Sequence, residues 1–190
     1  MLSESSLIWY SVFIGATAIE RLVEVRLSNK HAAWSFEQGG MEFGKGHYPF
    51  MVILHTGFLF ACVGEAWLLE RFFDPLFGSL FFAVALLCQF LRWWCIQTLG
   101  KQWNTRVILV PGGRRIQEGP YRLFKHPNYM VVALEGLALP LIHNAWLTAL
   151  SFTLLNAGLM WVRISCEEQA LRKFLTLTAN NQTHSEDNSS

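Results

Sequence analysis

Charged residues are scarce in this chain. Asp, Glu, Lys and Arg make up only 15% of its 190 residues, whereas 52% are hydrophobic, and the mean hydropathy is +0.28. Soluble domains of this size carry about 25% charged residues. The shortage argues against a soluble domain and predicts a single domain of an integral membrane protein.

Paired cysteines, a pool of basic residues and internal repeats are missing as well. The four cysteines lie in apolar segments and form no CxxC pair: Cys62, Cys88, Cys95 and Cys166. This spacing argues against a zinc site or a disulfide framework, so we expect no bound metal. With a net charge of +1 and scattered basic residues, we expect no nucleic acid partner. The lack of a repeat argues against a small transporter.

What the chain has instead is a series of apolar segments. We predict five helices that cross the membrane, the fourth of them short and broken or tilted because it contains Glu135 and Pro140. The fourth and fifth should form a tight hairpin, since only His143 and Asn144 separate them. The predicted fold is therefore all-α, with one membrane domain at 1–177 and a disordered polar tail at 178–190. The predicted spans are 7–27, 48–70, 76–99, 128–143 and 145–166.

Basic residues outside the spans fall mostly after spans one, three and five. Arg71 is the exception on the other side. The positive-inside rule then places the C-terminus in the cytoplasm and the N-terminus outside. In a bacterium the location would be the inner membrane.

Charged residues inside the spans predict a polar chamber. Arg21, Arg92 and Arg163 lie in spans one, three and five, where each unpaired charge would be costly. We expect Glu135 to pair with Arg92 or Arg163. Arg163 and Glu167 are spaced to form an i,i+4 ion pair.

We predict ordinary roles for the other polar residues. We expect Glu65, near the outer end of span two, to be solvated, and His55 and His143 to be structural. The glycine-rich stretch 39–49 reads as a connector, with a lid as the alternative. Residues 103–110 read as a short β-like run.

The loop at 100–127 is long for so compact a chain, and long loops are usually functional. The motif GPYRLFKHPNY at 119–129 covers its end and the first residues after it. Pro127 disfavours helix at His126 and favours a helix start at Pro127 or Asn128. His126 would then stand at a helix N-terminus, where free backbone N–H groups attract anions. We interpret 100–127 as a cytoplasmic cofactor loop.

These motifs resemble the isoprenylcysteine carboxyl methyltransferase family of integral membrane enzymes. The stretch at 119–129 is similar to the family signature G-x-Y-x-x-x-R-H-P-x-Y, although Lys125 stands where Arg is usual. RISCEEQAL at 163–171 is similar to the family's Arg and paired Glu motif, and LGKQWNTRVILVPGGRRI at 99–116 fits the preceding segment. The segments at 20–34 and 39–49 look closer to a bacterial branch that methylates phenolic or pyrone polyketide lipids.

The resemblance implies S-adenosylmethionine as cofactor and a lipid-tailed acceptor, either a small lipophilic molecule or a prenylated one, that enters from the bilayer. It implies that Arg163 faces the acceptor. A phenol acceptor needs a base or a cation that lowers its pKa, and our hypothesis is that His126 or Glu135 serves as the base while Arg163 stabilises the phenolate. The cofactor contacts that the resemblance implies are Arg115, Ile116, Tyr121, His126, Pro127, Asn128, Tyr129 and Glu167.

Two other enzymes fit part of the pattern. A phospholipid amine N-methyltransferase would share the cofactor and the membrane. A membrane NADPH-dependent sterol or enone reductase carries a similar turn, but there we expect Gly-Glu or Gly-Asp soon after the tyrosine, where Met130 and Val131 stand. The sequence does not fix the acceptor or the oligomeric state.

Overall fold

The computed structural model describes residues 2–113 and 116–187, and these residues form helices and one small sheet. The side chains of residues 2, 3 and 173–187 are not described. The helices are α1 (Leu2–Glu37), α2 (Tyr48–Leu68), α3 (Pro75–Leu99), α4 (Pro120–Leu123), α5 (Pro127–Leu141) and α6 (Trp146–Asp187). Two strands, β1 (Met41–Phe43) and β2 (Val107–Leu109), complete the fold.

Among the described residues, four helices are long and apolar enough to cross a bilayer. They cover Glu4–Glu37, Lys45–Leu68, Pro75–Gln102 and Trp146–Arg172. The all-α membrane class is thus confirmed. Many of their large apolar side chains point outward, as a helix surrounded by lipid requires, and Phe60 and Leu154 are 76% and 67% exposed.

The predicted count of five spans is not confirmed. Helix α5 forms where the fourth span was expected, but it has only 15 residues and contains Pro140. About 20 apolar residues are needed to span a bilayer core. Helix α6 continues past residue 178, and the disordered tail predicted from there stays a prediction.

Helices α5 and α6 form the expected hairpin, and their turn meets the turn between α2 and α3. The Asn144 side-chain amide donates to the carbonyl of Phe72 at 3.1 Å, and His143 is buried there with its Nδ1 3.4 Å from the carbonyl oxygen of Arg71. Asn144 adopts φ 53°, which Asn tolerates better than most residues. We call this the turn end of the bundle.

Glu65 lies at the turn end, and the expectation that it is solvated is wrong. The side chain is buried, pairs with Arg71 at 2.8 Å, and accepts hydrogen bonds from the backbone N–H groups of Leu147 and Thr148 at 3.3 and 2.6 Å. A carboxylate on α2 therefore caps the first turn of α6, where free N–H groups and the helix dipole favour negative charge.

The opposite end of the bundle, which we call the loop end, holds the sheet. Strand β1 pairs antiparallel with β2, with Met41 opposite Leu109 and Phe43 opposite Val107. The β-like run is therefore confirmed in part, and the glycine-rich connector contributes a strand. The sheet ties the connector between α1 and α2 to the long loop after α3.

The interior of the bundle holds an ion cluster made of Glu20, Arg21, Glu24, Arg92 and Glu135. Arg92 donates to Glu24 at 2.7 Å and to Glu135 at 3.2 Å, and Arg21 donates to Glu24 and, at 2.7 Å, to Glu135. Glu20 lies 3.8 Å from Arg21. The pairing of Glu135 with Arg92 is thus confirmed. Mutual neutralisation explains how so many charges are buried among apolar helices.

Candidate functional site

Helix α5 begins at Pro127, as the sequence predicts. His126 precedes it with non-helical backbone angles (φ −136°, ψ 65°) and leaves its carbonyl to accept the N–H of Tyr129 at 3.2 Å. Tyr129 is the third residue of α5. Its ring stacks on the His126 imidazole, with ring centres 5.2 Å apart and planes 13° from parallel. The start of α5 therefore presents two stacked rings at the loop end.

The Tyr129 hydroxyl joins α5 to two charged residues of α6. It accepts a hydrogen bond from Nε of Arg163 at 3.0 Å and donates one to Glu167 at 2.7 Å. Arg163 also lies over the tyrosine ring, with its guanidinium carbon 5.5 Å from the ring centre. Among the described residues, Arg163 and Glu167 do not form the expected direct ion pair. The Tyr129 hydroxyl bridges them instead.

Arg163 differs from the arginines of the interior ion cluster in its partners. Its Nη1 faces the sulfur of Met51 at 3.0 Å, a weak acceptor, and no carboxylate among the described residues pairs with it. Arg21 and Arg92, by contrast, each contact two or more carboxylates. A half-buried guanidinium that no carboxylate of the described residues contacts directly is suited to bind an anionic group.

Two polar atoms beside these residues are buried and have no partner in the part of the chain that is described. They are Nε2 of His126 and Oδ1 of Asn128. Such atoms are costly to leave unpaired, so each calls for an explanation. Both lie in the loop motif, one on each side of Pro127, and a bound polar ligand would satisfy them.

The remaining predicted contacts are distributed around this centre. Tyr121 is half-buried on α4 and hydrogen-bonds Cys95 of α3; burial raises its pKa above the ordinary value of 10.0. Pro127 is buried, whereas Ile116 is only partly buried in the loop. Arg115 lies outside the described residues. The structure thus brings together His126, Tyr129 and the two charged residues of α6, with Tyr121 nearby.

Sequence reasoning missed the residues that the glycine-rich connector and α2 contribute. Met51 contacts Arg163, and Gly44 packs against Cys166, which precedes Glu167. A Cβ atom on Gly44 would overlap the cysteine sulfur and the His47 ring, and its φ of 65° is one that other residues rarely adopt. The clustered glycines at 39–46 were the available signal.

The connector is further fixed to the long loop by Arg106. Its guanidinium carbon lies 5.2 Å from the centre of the Tyr48 ring, and its Nη1 is 3.8 Å from Glu42 of β1. Among the described residues, no group of three or more His, Cys, Asp or Glu side chains is arranged to hold a metal ion. Acid, base and aromatic surfaces are what this site offers.

Comparison with known proteins places both sequence motifs in one family. The profile of the isoprenylcysteine carboxyl methyltransferase (ICMT) family matches residues 80–173, which include the whole loop and both motifs. The uncharacterized protein YpbQ of Bacillus subtilis strain 168 is 35% identical over 164 residues, which cover 86% of this chain and 96% of that relative. An uncharacterized protein of Haemophilus influenzae is 26% identical over 156 residues, 80% of this chain and 88% of its own length. The chain therefore belongs to the isoprenylcysteine carboxyl methyltransferase family of membrane proteins.

Proposed function

We propose that the protein is an S-adenosylmethionine-dependent O-methyltransferase that acts on a lipid-tailed acceptor. The observation that carries the proposal is the Tyr129 hydroxyl, which hydrogen-bonds both Arg163 and Glu167. Among the described residues, no carboxylate contacts Arg163 directly. In a membrane methyltransferase family, this is the place where a charged cofactor and an acceptor would meet.

The residues fit the chemistry of the cofactor. S-adenosylmethionine carries a carboxylate, an ammonium, a sulfonium, ribose hydroxyls and an aromatic base, and it supplies an activated methyl group. Glu167 is suited to the ammonium or the ribose, and the stacked rings of His126 and Tyr129 offer π surfaces to the base or the cation. A bound cofactor would offer hydrogen-bond partners to Asn128 Oδ1 and His126 Nε2, which have none among the described residues. Pro127 and Tyr121 would shape the wall, and Arg115 and Ile116 would lie on the adenine side.

Positioning supplies most of the catalysis that such a site needs. Reactants held in line gain on the order of 7 to 11 kcal/mol over the same reactants in solution. Arg163 would orient an ionised acceptor, such as a prenylcysteine carboxylate, through its guanidinium fork. A phenol or pyrone hydroxyl must lose a proton, and His126 is our candidate to accept it while Arg163 stabilises the resulting anion.

The topology gives the proposal its cellular setting. The loop end would face the cytoplasm, where the cofactor is made, and the acceptor would arrive sideways from the bilayer. We propose a multi-pass protein of the bacterial inner membrane with a cytoplasmic C-terminus, as the distribution of basic residues predicts.

Isothermal titration of the purified protein in detergent tests the cofactor directly. S-adenosylmethionine, S-adenosylhomocysteine and NADPH are titrated into the wild-type protein and into Glu167→Gln. Glu168→Gln is the matched control, because Glu168 is the next residue on α6, its side chain is 48% exposed, and it pairs with the exposed Lys125 at 3.4 Å.

We expect the first two ligands to bind the wild-type protein and the control, and affinity to fall about tenfold or more in Glu167→Gln through loss of a charge-assisted hydrogen bond. Binding of NADPH alone would overturn the proposal in favour of the reductase. If the cofactor binds, turnover with prenylcysteines, alkylated phenols and phosphatidylethanolamine separates O-methylation from the amine alternative.

A further inference from the structure

An apolar groove lies on the outer surface of the bundle at the loop end, between α3, α4 and the first turn of α5. Uncharged side chains line it, among them Leu91 and Trp94 of α3, Leu123 and Phe124 at the end of α4, and Met130 of α5. Leu123 is 73% exposed and Phe124 48%. Such exposed apolar side chains are unexpected in a loop that water surrounds.

The groove continues the surface that α3 presents to lipid. Leu87, Phe90 and Trp94 are exposed and lie on one face of α3, at the spacing i, i+3 and i+7. The rings of Phe90 and Trp94 are in contact, with centres 6.3 Å apart. Because α3 is one of the helices that can cross the bilayer, the stripe of apolar side chains that faces acyl chains leads directly into the groove.

The depth of the groove follows from the length of α3. At 1.5 Å per residue, Trp94 lies about 28 Å along the helix from Pro75. A hydrocarbon core is about 30 Å thick. With Pro75 at one boundary of the core, Trp94 and the groove therefore lie near the other boundary, where tryptophan is favoured and acyl chains meet head groups.

Gly119 allows α4 to lie against α3 at this depth. Its backbone adopts φ 52°, and a Cβ atom there would come within 2.8 Å of the Thr98 hydroxyl and 3.1 Å of Nε1 of Trp94. Tyr121 of α4 reaches Cys95 of α3. The local contacts thus fix α4 at the boundary with its apolar side chains towards the groove.

Arg122 supplies charge beside this apolar surface. It is exposed and does not line the groove. Among the residues whose side chains are described, no carboxylate pairs with Arg122, whereas Lys125 pairs with Glu168 at 3.4 Å. A long basic side chain next to buried apolar neighbours places its charge among the head groups, where phosphate is a suitable partner for a guanidinium.

We propose that the groove binds a phospholipid of the surrounding leaflet, with an acyl chain in the groove and the phosphate at Arg122. The lipid would hold α4 in the leaflet and support Pro127, which lines the groove and begins α5. The groove faces α3, whereas the Tyr129 hydroxyl faces α6. This lipid site is therefore separate from the proposed site of methyl transfer, and it does not depend on that function.

Photo-crosslinking in phosphatidylcholine nanodiscs without cofactor tests this site. One probe is a phosphatidylcholine and the other a diacylglycerol, each added as a minor component and each with a diazirine next to the ester of one acyl chain. The two probes differ only in the phosphate head group. Labelled residues are mapped by mass spectrometry, and labelling of the groove is divided by labelling of Trp161, an exposed residue of α6.

We expect the phospholipid to label Trp94, Leu123 or Met130 about fivefold more than the diacylglycerol does, because only the phospholipid offers Arg122 a charge-assisted contact. Arg122→Gln should abolish this preference and Arg122→Lys should retain most of it. Arg26→Gln, which removes an exposed charge of α1, should leave it unchanged. Leu123→Gln should reduce labelling of the other groove residues by both probes.

Absence of groove labelling by either probe would show that protein or water covers α4, and it would overturn the inference. Equal labelling by the two probes, or the wild-type preference in Arg122→Gln, would do the same. An equal loss of preference in Arg26→Gln would reveal a general attraction of the basic surface for phosphate instead of a site. Because the assay contains neither cofactor nor acceptor, its failure leaves the titration with S-adenosylmethionine untouched, and failure of that titration leaves the lipid site standing.

Discussion

The interior ion cluster predicts that losing an arginine is more harmful than losing a carboxylate. With three carboxylates and two guanidiniums, Arg92→Gln leaves Arg21 alone among Glu20, Glu24 and Glu135. Removing one partner of a buried pair costs about 3–5 kcal/mol, because a buried charge is left uncompensated. We expect the unfolding midpoint of Arg92→Gln to fall by about 10 °C.

Glu135→Gln has the opposite effect on charge. Two carboxylates then face two guanidiniums, Arg92 keeps its 2.7 Å contact with Glu24, and the glutamine oxygen still accepts one hydrogen bond. We expect a loss of about 1–2 kcal/mol, which corresponds to roughly 4 °C in the midpoint. The double variant should lose less than the sum of the two single variants, because the partners are in contact.

Tryptophan fluorescence during heating in detergent measures all three variants. Glu168→Gln serves as the control, since its exposed pair with Lys125 should contribute nothing measurable. If Glu135→Gln loses as much stability as Arg92→Gln, or more, the charge balance does not govern the cluster and the reasoning is wrong.

Further predictions concern the loop end. Tyr129→Phe should weaken binding of S-adenosylmethionine about tenfold or more, measured by titration, because Arg163 and Glu167 lose the hydroxyl that bridges them. Tyr10→Phe removes a hydroxyl distant from the site and should leave the affinity unchanged. Gly44→Ala should destabilise the protein by about 1–3 kcal/mol through overlap and backbone strain, and Gly46→Ala, which has open space around it, should not. The raised pKa of Tyr121 means that the folded state retains a proton that the unfolded state loses above pH 10. The contribution of Tyr121 to stability should be present below about pH 10 and decline as the pH rises further. This decline should disappear from the pH–stability curve in Tyr121→Phe.

Much of the fold was predictable because lipid imposes simple demands. Long apolar helices can be recognised from runs of apolar residues in the sequence. Pro127 determines the start of α5 through local steric constraints that do not depend on tertiary contacts. A buried charge requires a partner, so the sequence predicted that Glu135 pairs with Arg92 or Arg163, and the structure shows Arg92. These inferences depend on one residue or one segment at a time.

The predictions that were wrong concern residues whose partners lie in distant segments of the chain. Glu65 looked solvated because its partners, the first N–H groups of α6, are more than 80 residues away. The i,i+4 spacing of Arg163 and Glu167 suggested a direct pair, but the Tyr129 hydroxyl of another helix intervenes. Spacing along one helix does not reveal what a neighbouring helix inserts between its residues.

The shortness of α5 has a consequence for how the protein sits among its lipids. The N-terminus of α5 lies at the loop end. The turn after its C-terminus lies at the turn end, where Asn144 contacts Phe72. Fifteen residues extend about 22 Å, which is roughly 8 Å less than a typical hydrocarbon core. Where lipid adjoins α5, such hydrophobic mismatch would thin the adjacent leaflet or lower the head groups towards the helix end. Tyr129 would then lie at the depth of the glycerol backbones, so that an amphiphile could present its head to the loop without leaving the bilayer.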